Sequence, residues 1–251
     1  MKSNLLHLWC AYPEDLLDEG MMAACAALLS EEERARWQRF RFEKHRREFL
    51  ATHALLRSAL SHYFPRSAAE WRFTANEYGK PALEPACWLE FNVSNSVEMV
   101  VCLVSEQGEV GVDVEPVARA EAMLEVAAAV FSPAERAQLE ALPHDEQLDR
   151  ALSLWTLKEA YIKARGMGLS LGLSRFSFLF EDGVGIRLEM DAELNDSPER
   201  WRFCLLDRSG HRVAAVVEAQ AAGRIEVLQA RPVLAAPVKL DDCVVQWFPR
   251  E

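Results

Sequence analysis

A chain of 251 residues, half of it apolar and with seven Trp and twelve Phe, holds ample material for a packed core. That excludes disordered, collagenous and low-complexity classes, and folding at this length hides roughly three-quarters of the unfolded surface, enough for one large core or two smaller ones. Thirty-nine acids against 28 Lys and Arg leave a formal charge of −11, which argues against a general nucleic-acid or anionic-membrane binder but not against a local basic site.

The stretch Met1 to Pro13 has one Lys, an apolar run broken by His7 and no small-residue cleavage site. The longest uncharged apolar run, Met21 to Leu29, is nine residues and cannot span a bilayer. Ser30-Glu31-Glu32-Glu33 reads as a capping box, and Trp37, Phe40, Phe49, Leu56 and Leu60 recur at helical spacing, predicting two helices up to about His62. Trp71 to Thr74 is a short strand candidate. Gly79-Lys80-Pro81 is loop chemistry. Leu89–Ser94 and Val97–Val104 read as strands joined by a tight Asn95-Ser96 turn, with Val110–Val114 as a third.

Ser132-Pro133-Ala134-Glu135 is a second capping box with Pro at the first helical position. A longer helix is expected from about Asp149 to Arg165, stopped by Gly166. Four strands follow, at Phe176–Phe180, Ile186–Met190, Arg202–Leu206 and Val213–Val217, with turns at Gly183-Val184-Gly185 and Arg208-Ser209-Gly210. Helices then strands, twice over, suggest two α+β halves, 1–105 and 106–251. Cys10, Cys25, Cys87, Cys102, Cys204 and Cys243 form no Cys-x-x-Cys pair, and a chain with a full core needs no disulfide staples, so a reducing cytoplasm is expected.

Three constellations could carry chemistry. In Gly111-Val112-Asp113-Val114-Glu115, strand alternation puts Asp113 and Glu115 on one face and the valines in the core. Two carboxylates there suit Mg²⁺, although solvated acids at a strand end read the same way. On the following helix Glu159 and Lys163 are one turn apart, with Trp155 a turn earlier on the same side. They are either a surface ion pair or a third metal acid with a lysine for phosphate. The segment Arg34 to Arg47 holds seven Lys or Arg against one acid, Glu43. It is a solvated helix face or a polyphosphate site, which Arg57 and Lys80 could join. Gly168-Leu169-Ser170-Leu171-Gly172 matches the nucleophile elbow, but a helix precedes it and strands follow, the reverse of what that chemistry needs. No Walker loop and no Gly-x-Gly-x-x-Gly is present.

In this order, Gly79-Lys80-Pro81, Phe91-Asn92-Val93-Ser94-Asn95-Ser96, Gly111–Glu115, Phe131–Glu135 and Trp155–Lys163 running into Gly166–Ser170 resemble the 4′-phosphopantetheinyl transferases of the Sfp type. The resemblance implies a pseudo-dimer of two similar α+β halves with coenzyme A in the cleft between them. It implies Mg²⁺-dependent transfer of the phosphopantetheine arm to a serine of an apo acyl or peptidyl carrier protein, releasing adenosine 3′,5′-bisphosphate. Asp113, Glu115 and Glu159 would hold the metal. Glu159 would act as base, directly or through a metal-bound water, and Lys163 would neutralise phosphate charge. Lys80 and Arg57 would bind the nucleotide, Ser94 and Asn95 would join the coenzyme A site, and Arg41 and Lys44 would lie near the 3′-phosphate. Asn95 stands where the family pattern usually has histidine, so weaker coenzyme A binding is expected, with less pH dependence near neutrality. A monomer is expected, since a fused pseudo-dimer supplies both halves of a site, with no nucleic-acid or membrane partner. The alternatives are a non-catalytic coenzyme A or carrier-protein binding module of the same fold, and a serine hydrolase at Ser170.

Overall fold

The computed structural model describes residues 5–181, 185–222, 224–231, 234–240 and 247–249. Strand β1 (Leu6–Ala11) leads into helices α1 (Glu19–Ala27), α2 (Glu31–Gln38) and α3 (Glu43–Tyr63). Strands β2 (Arg72–Ala75), β3 (Pro81–Glu84), β4 (Glu90–Asn95), β5 (Val100–Ser105) and β6 (Val110–Pro116) follow. Next come helices α4 (Ala120–Glu125), α5 (Ala127–Val130), α6 (Pro133–Glu140) and α7 (His144–Arg165). Strands β7 (Phe176–Glu181), β8 (Gly185–Met190), β9 (Trp201–Arg208), β10 (His211–Glu218), β11 (Glu226–Gln229) and β12 (Val238–Lys239) complete the α+β fold. The expected turn at Gly183-Val184 and Cys243 lie outside the described residues.

Two sheets, ordered β12-β11-β1-β5-β4 and β6-β10-β9, pack face to face. Alternation along each strand decides what goes where. From β1 and β5, Leu6, Leu8, Val101 and Leu103 point inward against Val112, Val114, Val213 and Ala215 of β6 and β10. On the outer face of the first sheet, Trp9, Val100, Cys102 and Val104 meet Leu50, Ala54 and Leu55 of α3. On the outer face of the second, Phe203, Ala214 and Val216 meet Leu157 and Tyr161 of α7. The layers run helix, sheet, sheet, helix. Strands buried on both faces read as unbroken apolar runs, as Val100-Val101-Cys102-Leu103-Val104 does.

Both capping boxes form: the Ser30 hydroxyl accepts from Glu33 N–H and the Ser132 hydroxyl from Glu135 N–H, each at 3.2 Å. Gly166 ends α7 with φ +61°, a left-handed turn that glycine adopts without a Cβ penalty. The helix starts at His144 rather than Asp149, because Pro143 serves as its N-cap and Asp145 and Glu146 favour the first turn. Between β4 and β5 the turn is longer than two residues. The Ser96 side chain holds Met99 through both its amide and its carbonyl, so β5 begins at Val100 and not Val97.

One strand from beyond residue 105 joins the first sheet. The opening strand β1 is central to the first sheet, and β11 returns from the last third of the chain to pair with it in parallel. Val227 and Leu228 of β11 bury their side chains there, which is why this segment leaves the second half for the first. Among the described residues no helix is long and apolar enough to cross a membrane.

Candidate active site

The site begins as a seam. Strands β4 and β6 are the facing edges of the two sheets, and side chains rather than a backbone ladder join them. Val112 N–H donates to Asn92 Oδ1 at 2.9 Å and Val114 N–H to Ser94 Oγ at 3.3 Å. Asn92 and Ser94 are two apart in a strand and so share a face. Their short polar side chains satisfy buried amides while leaving the strands splayed, and a cleft of about 550 Å³ opens there.

Asp113 and Glu115 project from the face of β6 that packs against α7, away from the valines. Asp113, 5% exposed, accepts through Oδ1 from Ser94 Oγ at 2.8 Å and from Lys163 Nζ at 2.6 Å. Lys163 Nζ also donates to Ser94 Oγ at 2.8 Å. Glu115 accepts from Arg119 Nη1 at 2.6 Å and from Trp155 Nε1 at 3.0 Å. Glu159 is half-buried on α7, one turn before Lys163. Burial pushes its carboxyl up, the negative charges of Asp113 and Glu115 add to this, and Lys163 opposes them. Glu115 is likewise raised, first by burial and then by Asp113.

Among the described residues no group of three or more His, Cys, Asp or Glu stands drawn up as a metal-ligand set. Asp113 and Glu115 instead face the cations Lys163 and Arg119. The donor chemistry nevertheless fits a hard divalent ion. Glu115 and Glu159 are each raised by burial and then by the charge of Asp113, and Asp113 Oδ2 is buried without a hydrogen-bond partner.

Ser94, Asn95, Asp113, Glu115 and Lys163 line the one cleft, together with Glu48 and His45 from α3 and Arg119. Lys80 lies next door, in a pocket of about 230 Å³ that shares Val93 and Lys163 with the cleft, where its ammonium donates to Ala164 O at 2.7 Å and caps the end of α7. Burial lowers its pKa. Arg41, two residues before α3, and Lys44, in its first turn, are exposed.

Arg57 is not brought to the cleft. It is 1% exposed, and its guanidinium donates to Ala68 O, Trp71 O and Glu33 Oε2, the last at 2.7 Å. It ties α2 to α3 and to the start of β2, so its charge is spent inside the first half. The basic stretch Arg34 to Arg47 is partly structural too: Arg34 bonds Ala26 O, and Arg46 stacks over Trp37 at 4.8 Å. Ser170 follows α7 in a short helical turn, where its hydroxyl donates to Met167 O, without the strand-then-helix frame of an elbow.

Two family models divide the chain between them. A 4′-phosphopantetheinyl transferase N-terminal model matches residues 18–108, and a 4′-phosphopantetheinyl transferase superfamily model matches 109–217. The chain is 32% identical over 220 residues to the 4′-phosphopantetheinyl transferase HetI of Nostoc sp., covering 86% of this chain and 89% of that one. This chain belongs to the 4′-phosphopantetheinyl transferase family. It is also 35% identical over 175 residues to the 4′-phosphopantetheinyl transferase Sfp of Bacillus subtilis, covering 68% of this chain and 73% of the relative. A solved holo-(acyl-carrier-protein) synthase from Bacillus anthracis aligns over 44% of this chain and 94% of its own at 20% identity and a TM-score of 0.37, too slight a likeness to carry an argument.

In this family member, four cleft or seam residues escaped the sequence reading: Asn92, Glu48, His45 and Arg119. Asn92 had a signal, since it stands two residues before Ser94 and must share its face. Glu48 and His45 had none, because only the tertiary packing of α3 turns them toward β4.

Proposed function

We propose that this chain transfers the 4′-phosphopantetheine arm from coenzyme A to a serine hydroxyl of an apo acyl or peptidyl carrier protein, with Mg²⁺, releasing adenosine 3′,5′-bisphosphate. The observation that supports it most is the meeting of Lys163, Asp113 and Ser94 within 2.8 Å of one another at the mouth of a cleft between two half-domains. The serine oxygen bonds to the phosphorus that carries the pantetheine, the bond from that phosphorus to the bridging oxygen breaks, and the electron pair leaves with the bisphosphate. Asp113, Glu115 and Glu159 would hold the metal, which supplies positive charge to the pyrophosphate. Lys163 gives the departing oxygen a charge-assisted hydrogen bond. Glu159, its proton affinity already raised by burial, accepts the serine proton. Ser94 steadies Lys163 and Asp113 relative to one another. Cys25, Cys87, Cys102 and Cys204 are free thiols, in keeping with work in a reducing cytoplasm.

Intact-mass analysis of several apo carriers incubated with coenzyme A and Mg²⁺ tests this. A gain of one phosphopantetheine arm, lost in Glu159→Ala, is expected. Coenzyme A binding without a gain on any carrier would leave a binding module of the same fold.

A further inference from the structure

Two permanent cations line the cleft, and they are held in different ways. Lys163 Nζ has two partners, Asp113 Oδ1 at 2.6 Å and Ser94 Oγ at 2.8 Å, and its side chain is 28% exposed. Arg119 ends the short turn Val117–Arg119 that follows β6, and its side chain is 49% exposed. Among the described residues its guanidinium has one partner, Glu115 Oε2 at 2.6 Å. A half-exposed ion pair four residues apart adds little to folding, so stability is a weak reason for its presence.

Glu115 is gripped from two sides. The Trp155 indole donates to Oε1 at 3.0 Å and fixes where the carboxylate sits, while the exposed guanidinium covers Oε2. Beside it, Asp113 Oδ2 is buried and has no hydrogen-bond partner, because Lys163 and Ser94 both take Oδ1. A divalent ion shared by the two carboxylates therefore finds one oxygen open and must lift Arg119 from the other.

We infer that Arg119 is a place-holding cation of this site. It neutralises Glu115 until a divalent ion takes that carboxylate, and its freed guanidinium then pairs with the phosphates of the donor in the same cleft. Arginine suits the exchange because it stays charged without proton transfer, and its planar fork pairs with carboxylate and phosphate alike. The side chain crosses no packed core to make the move. Each charge in the cleft keeps a partner throughout, so the ion and the donor strengthen each other's binding. This rests on the transferase reading above.

The test uses Arg119→Gln in the full chain, with Mn²⁺ as the spectroscopic probe in place of Mg²⁺. Electron paramagnetic resonance counts free Mn²⁺ without donor, and calorimetry then measures coenzyme A binding at saturating Mn²⁺. The variant should bind Mn²⁺ about tenfold more tightly, the size of the charge-assisted contact that the ion no longer breaks, and coenzyme A about tenfold more weakly. A merely distorted site would lose affinity for both. Repeating the Mn²⁺ titration at high salt, where the Debye length falls to about 4 Å, separates contact from long-range repulsion. The gain should stay above threefold there. Mn²⁺ affinity within threefold of the wild type or weaker, a gain that salt abolishes, or unchanged coenzyme A binding overturns the proposal while transfer by the wild type, assayed alongside, still stands. No transfer by the wild type to any carrier overturns the transferase reading and this proposal with it.

Discussion

Gly111 of β6 lies against Ala160 of α7 so closely that a Cβ at this position would fall inside the contact radius of the Ala160 carbonyl oxygen and 2.9 Å from Ala164 Cα. The helix backbone rests directly on the strand there. That approach sets how far Glu159 and Lys163, on the same helix, reach toward Asp113, two residues along the same strand.

Gly111→Ala should therefore push α7 outward rather than merely crowd a side chain, since backbone atoms cannot rotate away. We expect a loss of about 1–3 kcal/mol in urea unfolding and a fall in carrier modification on the order of 100-fold, because displacement of catalytic groups by about an ångström costs that much. Full transfer with unchanged Tm would show that the helix position is set elsewhere.

Lys158 and Glu135 form an ion pair at 2.8 Å, each side chain 0% exposed. The ammonium also donates to Leu173 O and Phe176 O, and the carboxylate accepts from Phe178 N–H. The pair anchors α7 beside the residue that becomes Glu159. Lys158→Met should cost about 3–5 kcal/mol by stranding a buried carboxylate. In a double-mutant cycle with Glu135→Leu the combined loss should be well below the sum of the single losses. Additive losses would mean that the two charges are compensated independently.

Glu33 sets a pH dependence of stability. Burial alone would raise its carboxyl, but His53, the Ser30 amide and Arg57 outweigh this and hold it at about 2. A carboxylate depressed on folding stabilises the folded state fully above its unfolded value near 4.5, and that share is lost as pH falls through about 2. With solvent screening part of the field, we expect Glu33→Gln to cost on the order of 1–2 kcal/mol at pH 7 and less than half of that at pH 3. Chemical denaturation at the two pH values checks it; a gap that stays constant would mean the carboxylate is not held by these partners.

Asn92 should matter for the seam rather than for chemistry. Asn92→Leu leaves the Val112 amide buried without its acceptor, at a cost of about 1–3 kcal/mol. Asn92→Asp keeps an acceptor oxygen and should recover most of the hydrogen bond, though beside Asp113 it adds a like charge. Stability ranked wild type, Asp, Leu would support the seam role, and equal losses in both variants would remove it.

What the sequence by itself determined were interactions closed within a few residues: the boxes at Ser30 and Ser132, the stop at Gly166, and the alternation that sorts Val112 and Val114 from Asp113 and Glu115. Their geometry depends on local backbone dihedrals, so residue types at fixed spacing suffice to reveal them. The order of the motifs carried the family for the same reason, because it is a property of the chain. Only the tertiary structure decided that Arg57 would spend its charge on Glu33, that β11 would cross back to β1, and that Glu48 would meet Asn95. Those partners are separated by 24, 219 and 47 positions, and their meeting is set by how two sheets and two long helices pack, which no local spacing encodes.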